Sequence, residues 1–402
     1  MNMTRGAHHS HSWLAVLTAV ATLAGLLKIV LALSTIGTDD VIAWEQFAAT
    51  IHQFGGLKLY YMIDRFNHPP FMVHVLQSMS LLTDLTGVPF PFWLRLPAIL
   101  ADIGTVILIW HLLGAQLGPR VTPAAVVLLA AAPASIFISG FHGNTDPVMI
   151  FFVLLSVYLI ARGHHPGIAG LALGMSMNIK VVPVIFMPTI FLYLPSMRMR
   201  LACFTAAAVV FVAGSLPYLP QDPQFIIQRV FGYGSSYGQW GISRLLVLLS
   251  SSSDALTQLN NAYAHFGKYV ALTSVLATSF WMNRFLQRVP LFLQCGFIAL
   301  LFLTLSPGFG VQYLAWLVPW VVALDVGAML IFYTTSGVFL FLVYTFWSHR
   351  FPWYFADSPP YGWRGYIIAF DLLCWVSVLV LLFTYGQLLK SVTRSSGEEM
   401  YS

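Results

Sequence analysis

Two adjacent acids, Asp39 and Asp40, stand immediately before the run VIAWEQFAATIHQF. In that run Trp44, Phe47, Ile51 and Phe54 recur at helical spacing on one side, while Glu45, Gln46, His52 and Gln53 take the other. A carboxylate at such a place can cap the helix, where it meets free N–H groups and a favourable dipole. It can also take a proton from a hydroxyl. Further polar breaks interrupt the apolar chain: Asn67-His68-Pro69-Pro70, Arg95-Leu96-Pro97 with Asp102, His142-Gly143-Asn144-Thr145-Asp146-Pro147, Lys180 after GLALGMSMNI, and SPGFGVQY ending in Gln312 and Tyr313. Each has an ordinary reading as a helix start, a break or a snorkelling lysine. As chemistry they supply a base, amides and imidazoles, and cations that can meet developing negative charge.

The elements that must hold these residues are membrane helices. AVILMFWYC make up 58% of the 402 residues and charged residues 8%, against roughly 45–50% and 25% in soluble domains. The composition predicts an all-α polytopic membrane protein, a single membrane domain over 1–402. Spans are expected at 13–35, 92–114, 123–139, 146–162, 201–219, 264–282, 291–305, 311–327, 330–347 and 366–389. A short pair, 167–179 and 182–195, meets at Lys180, where Pro183 disfavours a continuous helix. That gives about twelve transmembrane helices. The first has no small-residue cleavage pattern after it and reads as retained. The run after Asp40 is expected to lie on the outer membrane surface as an amphipathic helix in the first loop.

Segments 70–84 and 242–253 are short and carry polar residues, as re-entrant or interfacial helices do. With neither crossing, Arg5, Arg120, Arg162, Arg198, Arg200, Arg284, Arg288, Lys390 and Arg394 fall on one face. The positive-inside rule makes that face, with the tails 1–12 and 390–402, cytoplasmic. The outer face then collects 36–69, 142–146, Lys180, 220–241, 306–310 and 348–365. The net charge of +5 is scattered through short loops with no basic run, so no nucleic-acid partner is expected. Cys203, Cys295 and Cys374 fall in apolar segments, which argues against disulfides and thiolate metal sites. Lys28 and Asp102 sit at similar depth in apolar spans and are expected to face inward as partners.

In order and joint content, the acids of the first loop, Asn67-His68-Pro69-Pro70, Arg95 with Asp102, the HGNTD loop, Lys180 and SPGFGVQYLAWLVP resemble the polyprenyl-phosphate-sugar-dependent glycosyltransferases of the GT-C superfamily, in particular bacterial mannosyltransferase-like members. The resemblance runs from about 37 to 320. It implies a GT-C fold and a catalytic carboxylate at Asp40 or Asp39, with Asp40 favoured by its spacing to Trp44. It also places Asn67, His68, Arg95, His142, Asn144, Asp146, Lys180, Gln312 and Tyr313 around the substrate, with Lys180, His142 and Arg95 toward the phosphate. A divalent cation is compatible with the family, although the strict Asp-X-Asp that would hold a metal-bridged donor is absent.

Since a polyprenyl-phosphate donor carries its own leaving group, one carboxylate suffices, and burial beside Asp39 is expected to raise the pKa of Asp40. The implied activity is inverting transfer, at the outer face of a bacterial-type inner membrane, of a sugar to a hydroxyl of a glycolipid, polysaccharide or protein. Membrane lipids are the remaining partners. Loop 220–241, with Tyr233, Tyr237 and Trp240 among glycines, is suited to covering a sugar site or to anchoring at the interface. The competing reading is a transporter or flippase for a lipid-linked or anionic solute, suggested by the broken helix at Lys180.

Overall fold

An ionised side chain midway along an apolar helix needs a partner, and Lys28 has two. In the computed structural model, which describes residues 3–112, 122–232, 234–359 and 362–398, its ammonium lies 2.6 Å from Asp102 and 2.7 Å from the Ser135 hydroxyl. Ser135 in turn donates to Asp102 at 2.7 Å. The triad joins the helix Met3–Ser34 to Phe90–Leu112 and Pro133–Phe137. The expected pairing of Lys28 with Asp102 is therefore present. Arg120 and Tyr233, which entered the reading above, lie outside the described residues.

Among the described residues six helices are long and apolar enough to cross a membrane: Ser12–Ser34, Phe90–Leu112, Pro123–His142, Met197–Ser215, Val326–Ser348 and Gly365–Arg394. Five apolar helices of 10–17 residues accompany them. The protein is a helical membrane protein, but a count of twelve is not reproduced by length and composition. Two expectations change form. Segment 264–282 lies within a longer helix, Asp254–Phe285, which is not among the six. Segment 311–327 is not one helix but three short turns, Val311–Tyr313, Leu314–Leu317 and Val321–Ala323. Residues there are almost all buried in protein, where irregular backbone is tolerated if its carbonyls find donors. Tyr333 donates to the Val318 carbonyl and Tyr385 to that of Trp320.

Small residues set the closest helix contact. The helix Pro166–Ile179 lies so tightly on Met197–Ser215 that a Cβ at Gly174 would come within 2.6 Å of the Ala207 carbonyl oxygen, and one at Gly170 would collide with that of Cys203. This packing delivers Lys180, the extended residue that ends the helix, to the polar end of the bundle. Pro183 then starts a 3-10 turn, Val182–Phe186, as the sequence required.

Both doubtful segments leave and return at that same end. Helix Phe71–Thr86 follows His68 directly. Three residues later begins Phe90–Leu112, whose Arg95 already reaches the carbonyls of Thr35 and Ile36 at the top of the first helix. Segment 242–253 is bracketed by a hydrogen bond, 2.8 Å from the Tyr237 hydroxyl to the Asn260 side chain.

The loops at this end are stitched by two short ladders. Gly37-Thr38 pairs in parallel with Phe355-Ala356, and Ser236-Tyr237 antiparallel with Gly308-Phe309. The helix after the acids spans Asp39–Phe54 as expected, with Val41, Trp44, Phe47 and Ile51 buried. Its apolar face packs on protein and not on the membrane surface: Trp44 meets His68 at 4.6 Å and Phe47 meets Phe66 at 5.2 Å between ring centroids. A lone helix would need lipid for that face; here the rest of the first loop covers it.

Candidate active site

Neither acid caps its helix. Thr38 is the N-cap residue, and its hydroxyl donates 2.8 Å away to the His142 carbonyl, fastening the HGNTD loop to the first loop. Asp39 and Asp40 occupy the first turn, with both carboxylates lining a cavity of about 1400 Å³. Arg65, Asn67 and His68 line it from the same loop, His142 and Asn144 from the second, and Lys180 from the broken helix. Phe309 and Gln312 come from the SPGFGVQY break, and Ser358 and Trp363 from the last loop. All six segments that the topology argument assigned to one face meet here.

Asp40 is held by three donors. Its Oδ2 accepts from His142 Nε2 and Asn144 Nδ2, each at 3.1 Å, and its Oδ1 from Arg65 at 3.1 Å. The Asn144 amide cannot be turned over, since its oxygen accepts from the Asp146 backbone N–H at 3.2 Å. Burial alone would raise the Asp40 pKa, but the bond and charge of His142, the charge of Arg65 and the bond from Asn144 outweigh it. The carboxyl is held well below its ordinary range. This reverses the expectation that Asp40 would be raised.

Asp39 behaves oppositely. Its Oδ2 accepts from Ser358 at 2.9 Å and Arg65 at 3.2 Å, while its Oδ1 accepts no hydrogen bond among the described residues. Burial and the neighbouring Asp40 charge raise its pKa against smaller opposing effects of Ser358, Arg65 and His142. The guanidinium of Arg65 thus bridges the two acids at the place a divalent cation would take, and the residues as they stand do not fit one there. Among the described residues no three His, Cys, Asp or Glu side chains gather as a metal site would require.

His142 is positioned from behind. Tyr344, buried in the helix Val326–Ser348, has its hydroxyl 3.0 Å from His142 Nδ1. In the tautomer that gives Nε2–H to Asp40, Nδ1 accepts from the tyrosine. His68 is fixed the other way: its Nδ1–H donates to the Ile179 carbonyl at 3.1 Å, so Nε2 carries the lone pair. Burial and the charge of Lys180 lower its pKa to about 4, leaving it neutral at ordinary pH.

Lys180 forms a 2.8 Å ion pair with the fully buried Asp146 and lies 5.2 Å from the Tyr313 ring centroid and 5.9 Å from that of Trp316. Asp146 and Tyr313 therefore stand behind the lysine and not in the cavity wall. Arg95 is also outside that wall. Its guanidinium is spent on the carbonyls of Leu31, Thr35, Ile36 and Gly140 and on the Thr35 hydroxyl. It shapes the turn that leads into the acids, and Gly37, at φ +104°, lies so close that a Cβ would strike the Arg95 guanidinium. Tyr237 is bonded to Asn260, and Trp240 is wholly buried, stacked on Phe309 at 4.2 Å with its indole N–H on the Leu303 carbonyl at 2.9 Å. Trp240 is thus neither an interfacial anchor nor part of the wall; Ser235, Ser236 and Gln239 of the same loop line the cavity instead.

Sequence reasoning missed Arg65, Ser358, Trp363 and Tyr344. Arg65 sits two residues before Asn67 in a loop already singled out, where it and Lys58 are the two Lys or Arg residues. Ser358 and Tyr344 carried no local signal.

Residues 67–219 match the family model of dolichyl-phosphate-mannose-protein mannosyltransferases. The matched stretch includes Asn67, His68, His142, Asn144, Asp146 and Lys180, while Asp39, Asp40 and Gln312 fall outside it. The chain thus resembles the GT-C glycosyltransferases by this comparison as well as by the order of its motifs. Among solved structures, ArnT from Cupriavidus metallidurans bound to undecaprenyl phosphate is similar at 12% sequence identity, over 95% of this chain and 77% of that chain, with a TM-score of 0.48. No curated protein matches.

Proposed function

We propose that the chain is an inverting glycosyltransferase that moves a sugar from a polyprenyl-phosphate donor to an acceptor hydroxyl. The observation that carries this reading is a pair of carboxylates with opposite electrostatic tuning sharing one cavity with Lys180. A base works best with a pKa near the working pH, and its lone pair must be free to receive the proton. Asp39 meets both conditions better than Asp40. We therefore assign proton acceptance to Asp39 and make Asp40 the permanent anion, held by Arg65, His142 and Asn144, that orients the acceptor. Lys180, which lines the cavity in front of Asp146, meets the donor phosphate as charge accumulates on it. A hexose such as mannose is the transferred group that the family match favours.

The cavity end is proposed to face outward. Arg162, Arg198, Arg200, Arg284, Arg288, Lys390 and Arg394 gather in the loops and helix ends assigned to the opposite side, as cytoplasmic loops do. The membrane would be a bacterial-type inner membrane.

Reconstitution with a panel of radiolabelled polyprenyl-phosphate sugars and candidate acceptors tests the activity. Product with one donor, lost in Asp39→Asn and weakened at the donor-binding step in Lys180→Ala, is the expected result. Uptake of a lipid-linked solute without product would establish the transporter instead.

A further inference from the structure

A second cavity of about 800 Å³ opens beside the central one, and Asn67 and Gly234 line both. Its other walls include Asp64 at the end of the first loop and Phe225, Gln228 and Arg229 on the short helix Pro223–Phe231. The roles assigned above leave it unused. That helix is pinned to the first loop at each end. Tyr61 donates a hydrogen bond to Asp222 and stacks on Phe225 with centroids 4.7 Å apart, and Arg229 pairs with Asp64.

The pinning decides the chemistry of the compartment. The Arg229 charge is matched by Asp64, so the compartment carries no net positive charge. What remains is polar and neutral: the amides of Asn67 and Gln228. A single ring, Phe225, gives no continuous apolar wall for a prenyl chain. Amide donors and acceptors lining one compartment suit a polyhydroxylated ligand. The central cavity is different, with Lys180 and Arg65 beside two acids.

We propose that this side compartment is the acceptor subsite and takes a neutral saccharide, while the donor phosphate lies deeper, beside Lys180. The inference rests on the glycosyltransferase reading. In the step it serves, the acceptor hydroxyl reaches past Asn67 and gives its proton to Asp39. Its oxygen bonds to the anomeric carbon, and the bond from that carbon to the phosphate oxygen breaks. The phosphate leaves with the electron pair.

The three native cysteines are buried, so an impermeant maleimide reports on an introduced one. Gln228 is exposed on its helix, which makes Gln228→Cys a mild change. The full chain in lipid nanodiscs is labelled alone, with neutral disaccharides (mannobiose, cellobiose or chitobiose) and with undecaprenyl phosphate. Expected is ready labelling, slowed several-fold by at least one disaccharide and unchanged by undecaprenyl phosphate. Gln312→Cys, in the central cavity, should show protection by undecaprenyl phosphate. If undecaprenyl phosphate protects Gln228→Cys, if no disaccharide does, or if the site is never labelled, the assignment is overturned. Failure of the glycosyltransferase reading is separate: the wild-type chain would then form no product with any donor, whatever the labelling pattern.

Discussion

The Tyr344 hydroxyl lies 3.0 Å from His142 Nδ1, and the other nitrogen of the same ring lies 3.1 Å from Asp40. The carboxylate only accepts, so Nε2 carries the hydrogen, and a tyrosine inside a membrane helix holds the ring in that orientation from Nδ1. Tyr344→Phe leaves Nδ1 without its donor, at a cost of about 1–3 kcal/mol for an unsatisfied buried group. Turnover should fall roughly tenfold or more, since about 1.4 kcal/mol is a factor of ten, while donor KM stays unchanged. Unaltered turnover would show that the tautomer needs no such support.

The two acids are separable by pH. A base is active when ionised, so the rate is lost as pH falls through its pKa. Because burial and Asp40 raise Asp39, the acid limb of kcat/KM should lie above the usual carboxylate value of about 4. Asp39→Asn should cost about 10²- to 10⁴-fold. A limb below the ordinary range would hand the proton to Asp40, whose pKa is lowered.

His68 should make folding sensitive to mild acid. Its pKa falls from 6.5 to about 4 on folding, so the folded protein resists a proton that the unfolded chain accepts. The associated stability is complete above the unfolded value and is lost as pH falls through the window down to about 4, amounting to about 3 kcal/mol. Thermal midpoints in detergent at pH 7 and pH 5 should differ, and His68→Asn, which keeps a donor toward the Ile179 carbonyl, should flatten the difference. An unchanged pH dependence in that variant would assign it to other groups.

Lys28 and Asp102 should fail singly and recover together. Removing one member of a buried pair costs about 3–5 kcal/mol, whereas replacing both with apolar residues is often neutral. Lys28→Met and Asp102→Leu should each lower the thermal midpoint strongly, and the double variant should be more stable than either. Simple additivity would mean the two charges do not interact.

Much of the site was legible because polar residues in an apolar chain are few and parity places them. The acids, the HGNTD loop and Lys180 fall on one face once 70–84 and 242–253 are taken as non-crossing, and they share one cavity with Gln312, to which the family resemblance pointed. Arg95 was misread because a buried cation near a site looks like a ligand for phosphate until its carbonyl partners are known. The 311–327 stretch looked like a span since hydropathy registers apolarity but not the tyrosines, Tyr333 and Tyr385, that let its backbone be irregular. The opposite tuning of Asp39 and Asp40 depends on Ser358, Arg65 and His142, partners that adjacency of the two acids does not reveal.

The ladder between Gly37-Thr38 and Phe355-Ala356, with Ser358 on Asp39, also bears on how the protein is made. Residues that position the acids emerge from the ribosome more than three hundred positions after the acids themselves. A nascent chain with its first helices already inserted carries Asp39 and Asp40 without Tyr344, Ser358 or the closing strand. The cavity is completed only once Ser358 and the strand before it have been made, so a chain stalled before that loop is expected to be inert toward the lipid-linked sugars around it.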